Sequence, residues 1–355
     1  MSKENFMKNR IIMLVMVLGT ILLAGCQKQA AAPKINETPY SDNQFLIGTY
    51  VNIRIYDDGK EDVLPLAFKK VKSLGDKVTV NQKGSEIDEV NAQAGIKPVK
   101  VTSDVYRLAK KAYQISEESH GGFDMAIGPI TQLWHIGFPD ARKPSQAEID
   151  AALKLVDYKK VKLNDQKQTI YLEEKGMALD LGAIAKGFIA DEVVKLLKKH
   201  GVTTAIVDLG GNVYVLGKSP RGKDTPWTVG IQDPNQARNV TVGSVLASNQ
   251  TLVTSGIYER YLEVDGVKYH HLFNPKTGYP FDNDIAGVTI ITKYSIDGDG
   301  LSTAVFSMGV QKGLKFVNKQ KGVEAIFVTK DDKIYLSKGV TSFELNKESG
   351  YTMAK

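Results

Sequence analysis

Cysteine is nearly absent from this chain: its 355 residues include one, Cys26, so no intrachain disulfide can staple the fold. Histidine is sparse as well. The five histidines argue against a zinc site by their spacing, which leaves a hard cation held by oxygen as the metal class to look for. No Pro-, Gly- or Ser-rich linker and no internal repeat divides the sequence, which argues against several domains or a solenoid. The excess of positive charge is modest, +6, and the lysines are spread along the chain without forming a stripe. Nucleic acid is thereby set aside as a partner, while attraction to anionic lipid or cell wall stays open. Long apolar runs are missing too, apart from one at 11–23 that is too short to cross a bilayer comfortably.

That run takes its meaning from its neighbours. A basic stretch from Lys3 to Arg10 precedes it, and together they read as a secretion signal, a transport address and not a fold element. It ends in Leu23, Ala24, Gly25 and Cys26, and small residues just before a cysteine resemble the lipobox of bacterial lipoproteins, where the thiol is acylated and becomes the first residue after cleavage. An ordinary signal peptide or a single anchor helix would leave the position of the only cysteine unexplained. Residues 27–38 hold one large apolar residue, Ile35, too little to offset chain entropy by burial. The expected organisation is a signal peptide at 1–25, a flexible tether at 26–39 behind a lipidated Cys26, and a folded domain at 40–350. Such a protein sits at the cell membrane, on its extracytoplasmic face.

Within the domain, helices are marked by spacing. Val105, Leu108, Ala109, Ala112 and Ile115 recur on one face behind Ser103 as a cap, with Gly121 placed to end that helix. Ser145 and Glu148 make a capping box that opens a second helix. A third begins near Ala183, carries Ile189, Val193 and Leu197 on one side and stops at Gly201. Alternating or β-branched runs predict strands at 50–56, 204–207, 213–216, 228–231, 261–264, 288–291 and 325–328. Helices and strands mix without strict βαβ alternation, so the expected fold class is α+β, a single domain of mixed sheets packed with helices.

Four stretches hold more glycine and polar residues than a connection needs, each beside an element end, where ligand sites lie. The first is His120, Gly121, Gly122, Phe123 and Asp124, with Trp134 beyond; its aromatics can flank a flat ring and Asp124 can accept from ring amides, or the segment is a glycine-capped helix end over two core aromatics. The second runs from Leu179 through Asp180, Ala183 and Lys186 into the third helix, where helix-start N–H groups and a lysine one turn inside favour phosphate. It matches neither a Walker loop nor a dinucleotide fingerprint. The third, Asp208 to Val213 with a glycine pair, permits close backbone approach or is a plain hairpin turn. The fourth comprises Thr254 to Arg260, His270 to Pro280, and Asp297 to Ala304; there Asp299 and Thr303, four apart on a helix, can bind Mg²⁺ from one side, or the aspartate merely caps the helix.

In order and mutual spacing, the series GGFD, LDLGAIAKG, DLGGNV, TSGIYER, HHLFNPKTGYP and DGLSTA resembles the ApbE family, the FAD:protein FMN transferases, from about Phe45 to Leu345. The resemblance implies an exported enzyme that splits FAD and attaches FMN through a phosphoester to a threonine of an acceptor protein, releasing AMP. It implies a flavin-contacting carboxylate at Asp180, further FAD contacts at Lys186, Gly122, Phe123, Asp124 and Leu272, and Mg²⁺ held by the carbonyl of Ala183 with the side chains of Asp299 and Thr303. Departures are Ser302, where some relatives carry a second acid, Asn81, where many place a stacking tyrosine, and Ile47, in place of a common methionine. Lys186 and the helix-start amides then stabilise the transferring phosphate, and His271 is the candidate base, with His270 its structural neighbour. Two rivals use the same pocket: hydrolysis of FAD to FMN and AMP, and flavin binding without catalysis by a lipid-anchored protein.

Overall fold

A hairpin opens the folded part of the chain, β1 (Ile35–Leu46) and β2 (Thr49–Asp57), followed by α1 (Val63–Val78), α2 (Glu86–Ala92), β3 (Val99–Lys100) and α3 (Ser103–Glu118). Next come α4 (Gly128–Trp134), α5 (Gln146–Leu153), a 3-10 turn (Tyr158–Lys160), β4 (Val161–Asn164), β5 (Thr169–Leu172) and α6 (Gly182–Lys199). A run of strands follows: β6 (Ala205–Leu209), β7 (Asn212–Leu216), β8 (Trp227–Gln232), β9 (Thr241–Ala247), β10 (Gln250–Gly256), β11 (Tyr261–Val264), β12 (Val267–His270) and β13 (Ile285–Thr292). The chain closes with α7 (Ser295–Val317), β14 (Glu324–Thr329), β15 (Lys333–Leu336), β16 (Glu344–Leu345) and β17 (Thr352–Met353). The computed structural model describes residues 34–354; the signal segment at 1–25 and Cys26 lie outside them. Among the described residues no helix is long and apolar enough to cross a membrane.

Nine strands form the central sheet in the order β1-β2-β6-β7-β10-β13-β14-β15-β17, with only the β15–β17 pairing parallel. Alternation decides its two faces. On β7, Tyr214 and Leu216 join the helix-side core with Ile53, Val207, Leu108, Ile115, Ile184 and Val193, while Val215 turns to the opposite cluster with Trp227, Ile231, Val245 and Ile326. That second face is covered by the small sheet β16-β9-β8. Near the middle, all eight residues of β13 are buried, as expected of a strand covered on both faces. Against it, α7 packs Leu301, Val305 and Phe306 with Phe281 and Phe327. Each such side chain contributes about 1.5–3 kcal/mol by burial. This is the α+β architecture expected from the mixed pattern of elements.

Three expectations need correction. Residues 35–39, assigned to the tether, already belong to β1, whose Ile35 pairs with Asp57. An edge strand needs a partner's backbone more than large side chains, so weak hydrophobicity did not keep it out of the sheet. At the other end the fold runs past 350: Tyr351 is 6 % exposed and its hydroxyl donates to Asp233 at 3.0 Å. Thr102, not Ser103, precedes α3, and its hydroxyl is engaged with Glu86 at 2.8 Å. The capping box of α5 is present as read, with Ser145 and Glu148 serving each other's backbone.

Candidate active site

Two helix beginnings meet at the centre of the site. Gly187, in the second turn of α6, lies against the first turns of α7, and a Cβ there would collide with the Ser295 carbonyl and stand 2.7 Å from Asp299 Cβ. Only a hydrogen permits this approach. Asp299 is 3 % exposed; its Oδ2 accepts the Gly187 N–H at 2.8 Å and its Oδ1 lies 3.3 Å from Lys186 Nζ. In a regular α-helix the Gly187 N–H would point to the carbonyl of Ala183. Its donation to Asp299 sets that carboxylate beside the turn of α6 to which the Ala183 carbonyl belongs. Thr303, four residues along α7 and nearly buried, presents its hydroxyl from the same helix face. A carboxylate, a hydroxyl and a carbonyl form an all-oxygen set, the chemistry of Mg²⁺ and not of zinc. Among the described residues no group of three His, Cys, Asp or Glu could hold a metal, consistent with a site that has one acidic ligand.

Asp299 does not cap α7. The first N–H groups of that helix, on Ser295 and Ile296, donate to Asp191 of α6 at 2.8 and 2.9 Å, a partner that sequence reading missed because it lies more than a hundred positions away. Burial, against these two hydrogen bonds, pushes Asp191 up to about 6. Ser302, on the buried side of α7, donates to the Asp299 carbonyl at 2.7 Å and meets Ser255 Oγ at 2.7 Å, so its hydroxyl faces β10 and supplies no further cation ligand. At the start of α6, Asp180 Oδ1 takes the Gly182 N–H at 2.8 Å, and the Leu181 carbonyl takes those of Ile184 and Ala185. The helix-start amides expected to receive phosphate are therefore largely engaged, and Lys186 is the cation beside them.

The other segments close around this pair. Asp180 N–H donates to the Met125 carbonyl at 3.0 Å, bringing the 120–125 loop to α6, and Thr254 N–H donates to Gly211, joining the third segment to the fourth. Phe123 and Trp134 do not flank a ligand: they are 3 % and 0 % exposed. Trp134 packs on Phe273 and donates to the Gly278 carbonyl at 2.9 Å, so an indole placed for its polar edge belongs to the core under the 274–280 turn. Asp124 accepts from Ala126 N–H at 2.8 Å and Tyr158 N–H at 3.2 Å, and burial raises its pKa to about 6. Beside it opens a cleft of about 230 Å³ lined by His120, Gly121, Asp124, Tyr158, Pro275 and Lys276. Gly122 abuts Ser307 of α7. Leu272 is buried with Phe281 and Phe306 and offers a ligand little surface. Asn81 is exposed on the α1–α2 loop, where its N–H meets Thr79 Oγ1 at 3.2 Å.

The two histidines separate by their hydrogen bonds. His270 uses both nitrogens, Nε2 to the Phe281 carbonyl at 2.9 Å and Nδ1 accepting from Leu272 N–H at 3.2 Å, and burial lowers its pKa to about 4. His271 Nδ1 faces the Arg260 carbonyl at 3.2 Å. A carbonyl only accepts, so Nδ1 carries the hydrogen and Nε2 keeps its lone pair. Burial holds this imidazole well below its ordinary range, with Arg260, His270 and Lys186 acting the same way, so it is neutral. Ile47 lies at the β1–β2 turn against Gly75, and its neighbour Gly48 accepts from Arg260 Nη2 at 2.6 Å. Arg260 belongs to the TSGIYER segment, whose local sequence gives it no role of its own.

The profile of the ApbE family matches residues 47–327. An FAD:protein FMN transferase of Klebsiella pneumoniae (strain 342) is 39 % identical over 298 residues, spanning 84 % of this chain and 92 % of that protein. One from Treponema pallidum (strain Nichols) is 35 % identical over 338 residues, 91 % and 93 % of the two chains. Among solved structures, the ApbE protein of Thermotoga maritima superposes with a TM-score of 0.78 at 30 % identity, covering 85 % of this chain and 97 % of its own. The apo flavinyl transferase ApbE of Pseudomonas stutzeri gives 0.73 at 26 % identity, covering 86 % and 95 %.

Proposed function

Because this chain belongs to the ApbE family, we propose that it transfers FMN from FAD to a threonine hydroxyl of an acceptor protein, with Mg²⁺ as cofactor and AMP released. The reading rests on one observation: the Gly187 N–H donates to the Asp299 carboxylate, which sets the turn of α6 that carries the Ala183 carbonyl against the turn of α7 that carries Asp299 and Thr303. Bound Mg²⁺ supplies Lewis acidity that neutralises pyrophosphate charge. Lys186, at that junction, adds an ammonium for the developing charge on the phosphate oxygens. His271 Nε2 takes the proton of the threonine hydroxyl as its oxygen bonds to the phosphorus of FMN. The bond from that phosphorus to the bridging oxygen breaks, and the electron pair leaves with AMP. The lipobox-like sequence supports anchoring through Cys26, which places the reaction outside the cytoplasm.

The deciding assay incubates the protein with FAD, Mg²⁺ and a candidate acceptor, then asks whether flavin fluorescence stays with the denatured acceptor, with and without chelator. Covalent flavin that disappears on chelation is the expected result. FMN and AMP without adduct would establish the hydrolase instead, and binding without AMP release the passive carrier.

A further inference from the structure

At the tip of the β1–β2 hairpin, Ile47 and Gly48 both take positive φ, 49° and 73°, which makes a tight reversal. Arg260, in the link between β10 and β11, reaches across to it from 212 positions away, and its Nη2 donates to the Gly48 carbonyl at 2.6 Å. The stem of the same side chain passes over Gly137, where φ is 95° and a Cβ would stand 3.2 Å from Arg260 Cδ. Meanwhile the backbone carbonyl of Arg260 receives two hydrogens from one residue, the main-chain N–H of His271 at 3.2 Å and its ring Nδ1–H at 3.2 Å. Next along the chain, Glu259 is occupied by Arg238 at 2.6 Å, and among the described residues no carboxylate lies within ion-pair distance of Arg260.

An arginine serving only solubility would not be bonded at its tip, laid over a glycine along its stem and gripped at its carbonyl by a histidine. The three contacts act in series. The tip is fixed to the hairpin turn, the stem follows from the tip, and the carbonyl position follows from the stem. We propose that Arg260 is a positioning residue for His271: by clamping the β1–β2 turn it fixes the carbonyl that keeps the imidazole in its Nδ1–H tautomer with Nε2 turned to the reacting hydroxyl. The inference rests on His271 as the base of the proposed transfer. The proton then moves from the hydroxyl to Nε2, and the Nδ1–H of the resulting imidazolium still donates to the Arg260 carbonyl. Charged and titratable groups bearing on His271 are Arg260 itself, His270 of β12 and Lys186 of α6, and all three disfavour its protonation.

The test compares Arg260→Met, which keeps the stem and loses the donors, with Arg260→Lys, each alone and with His271→Asn, in the transfer assay with FAD, Mg²⁺ and acceptor. Misplacing a reacting group by about an ångström costs up to roughly a hundredfold, so Arg260→Met should lower kcat by about tenfold to a hundredfold, with KM for FAD within about twofold. In the His271→Asn background it should change kcat by less than about twofold, because the route through the histidine is already gone. The acid limb of the kcat profile should move to higher pH in Arg260→Met, since a cation opposing protonation is lost. In Arg260→Lys it should stay in place while kcat still falls, because an ammonium keeps the charge but not the planar fork. Far-UV circular dichroism confirms that the variants are folded. Multiplicative losses in the double variant, or an effect on KM alone, would overturn the positioning role while leaving His271 as base. Full turnover in His271→Asn by itself would remove the base and the inference with it.

Discussion

Gly187→Ala is the most economical test of the junction between α6 and α7. Helix propensity alone favours the change by up to about 1 kcal/mol, because alanine loses less backbone freedom than glycine. Packing opposes it. The new methyl would overlap the Ser295 carbonyl and stand 2.7 Å from Asp299 Cβ, against at least 3.4 Å for ordinary contact, so the helices must part by about 0.7 Å to clear Asp299 and by about an ångström to clear the carbonyl. Neither neighbour is the free end of a flexible side chain: one is backbone and the other is the first carbon of a residue 3 % exposed. Overpacking of this kind costs about 1–3 kcal/mol, so the net expectation is destabilisation by about 0–2 kcal/mol. That corresponds to a few degrees in Tm at most, readable by calorimetry. Activity should suffer more than stability, because separating the helices weakens the Gly187 to Asp299 bond and widens the oxygen set; tenfold or greater loss of transfer is expected. A variant that melts higher than the parent and transfers flavin at the parental rate would refute the close-approach argument.

Three further outcomes follow from the same geometry. Asp299→Ala should abolish Mg²⁺-dependent transfer, because it removes the one acidic member of the oxygen set, and undiminished activity across a Mg²⁺ titration would exclude that assignment. Asp124→Asn should flatten the dependence of stability on pH between about 4 and 6, as followed by urea unfolding at several pH values. The folded carboxyl titrates near 6, above its unfolded value, so its contribution is complete below the unfolded pKa and is lost as pH rises through 6; an unchanged slope would contradict the burial argument. Cys26→Ala in the full-length chain should shift the protein from the membrane fraction to the soluble fraction, and continued retention would rule out anchoring through that thiol.

Much of the architecture was readable because local rules and the final fold agree. The face of α3 defined by Val105, Leu108, Ala112 and Ile115 is buried, the capping box opens α5, and α6 stops before Gly201, whose φ is 77°. Open alternatives were decided where a residue's surroundings come from distant chain. Trp134 and Phe123 sit among glycines and polar residues in sequence, as ring-flanking aromatics would, yet both face packed neighbours that arrive from elsewhere in the fold. The edge strand at residues 35–39 lacks the apolar content by which strands are recognised; it joins β2 through the pairing of Ile35 with Asp57, across an irregularity in register before Tyr40.

Composition and pattern alone determined the α+β class, the lack of disulfides, the family and the set of segments in which the chemistry must lie, because periodicity, capping and motif order are properties of neighbouring residues. Tertiary structure decided what those segments do to one another. Packing brought the Gly187 N–H to Asp299, gave the α7 amides to Asp191, engaged both nitrogens of His270 while leaving Nε2 of His271 its lone pair, and set Arg260 on the far hairpin. Apart from those of the two histidines, these contacts join groups more than a hundred positions apart. A hydrogen bond depends on distances of a few tenths of an ångström, which residue order does not carry until the sheet and helices have closed around it.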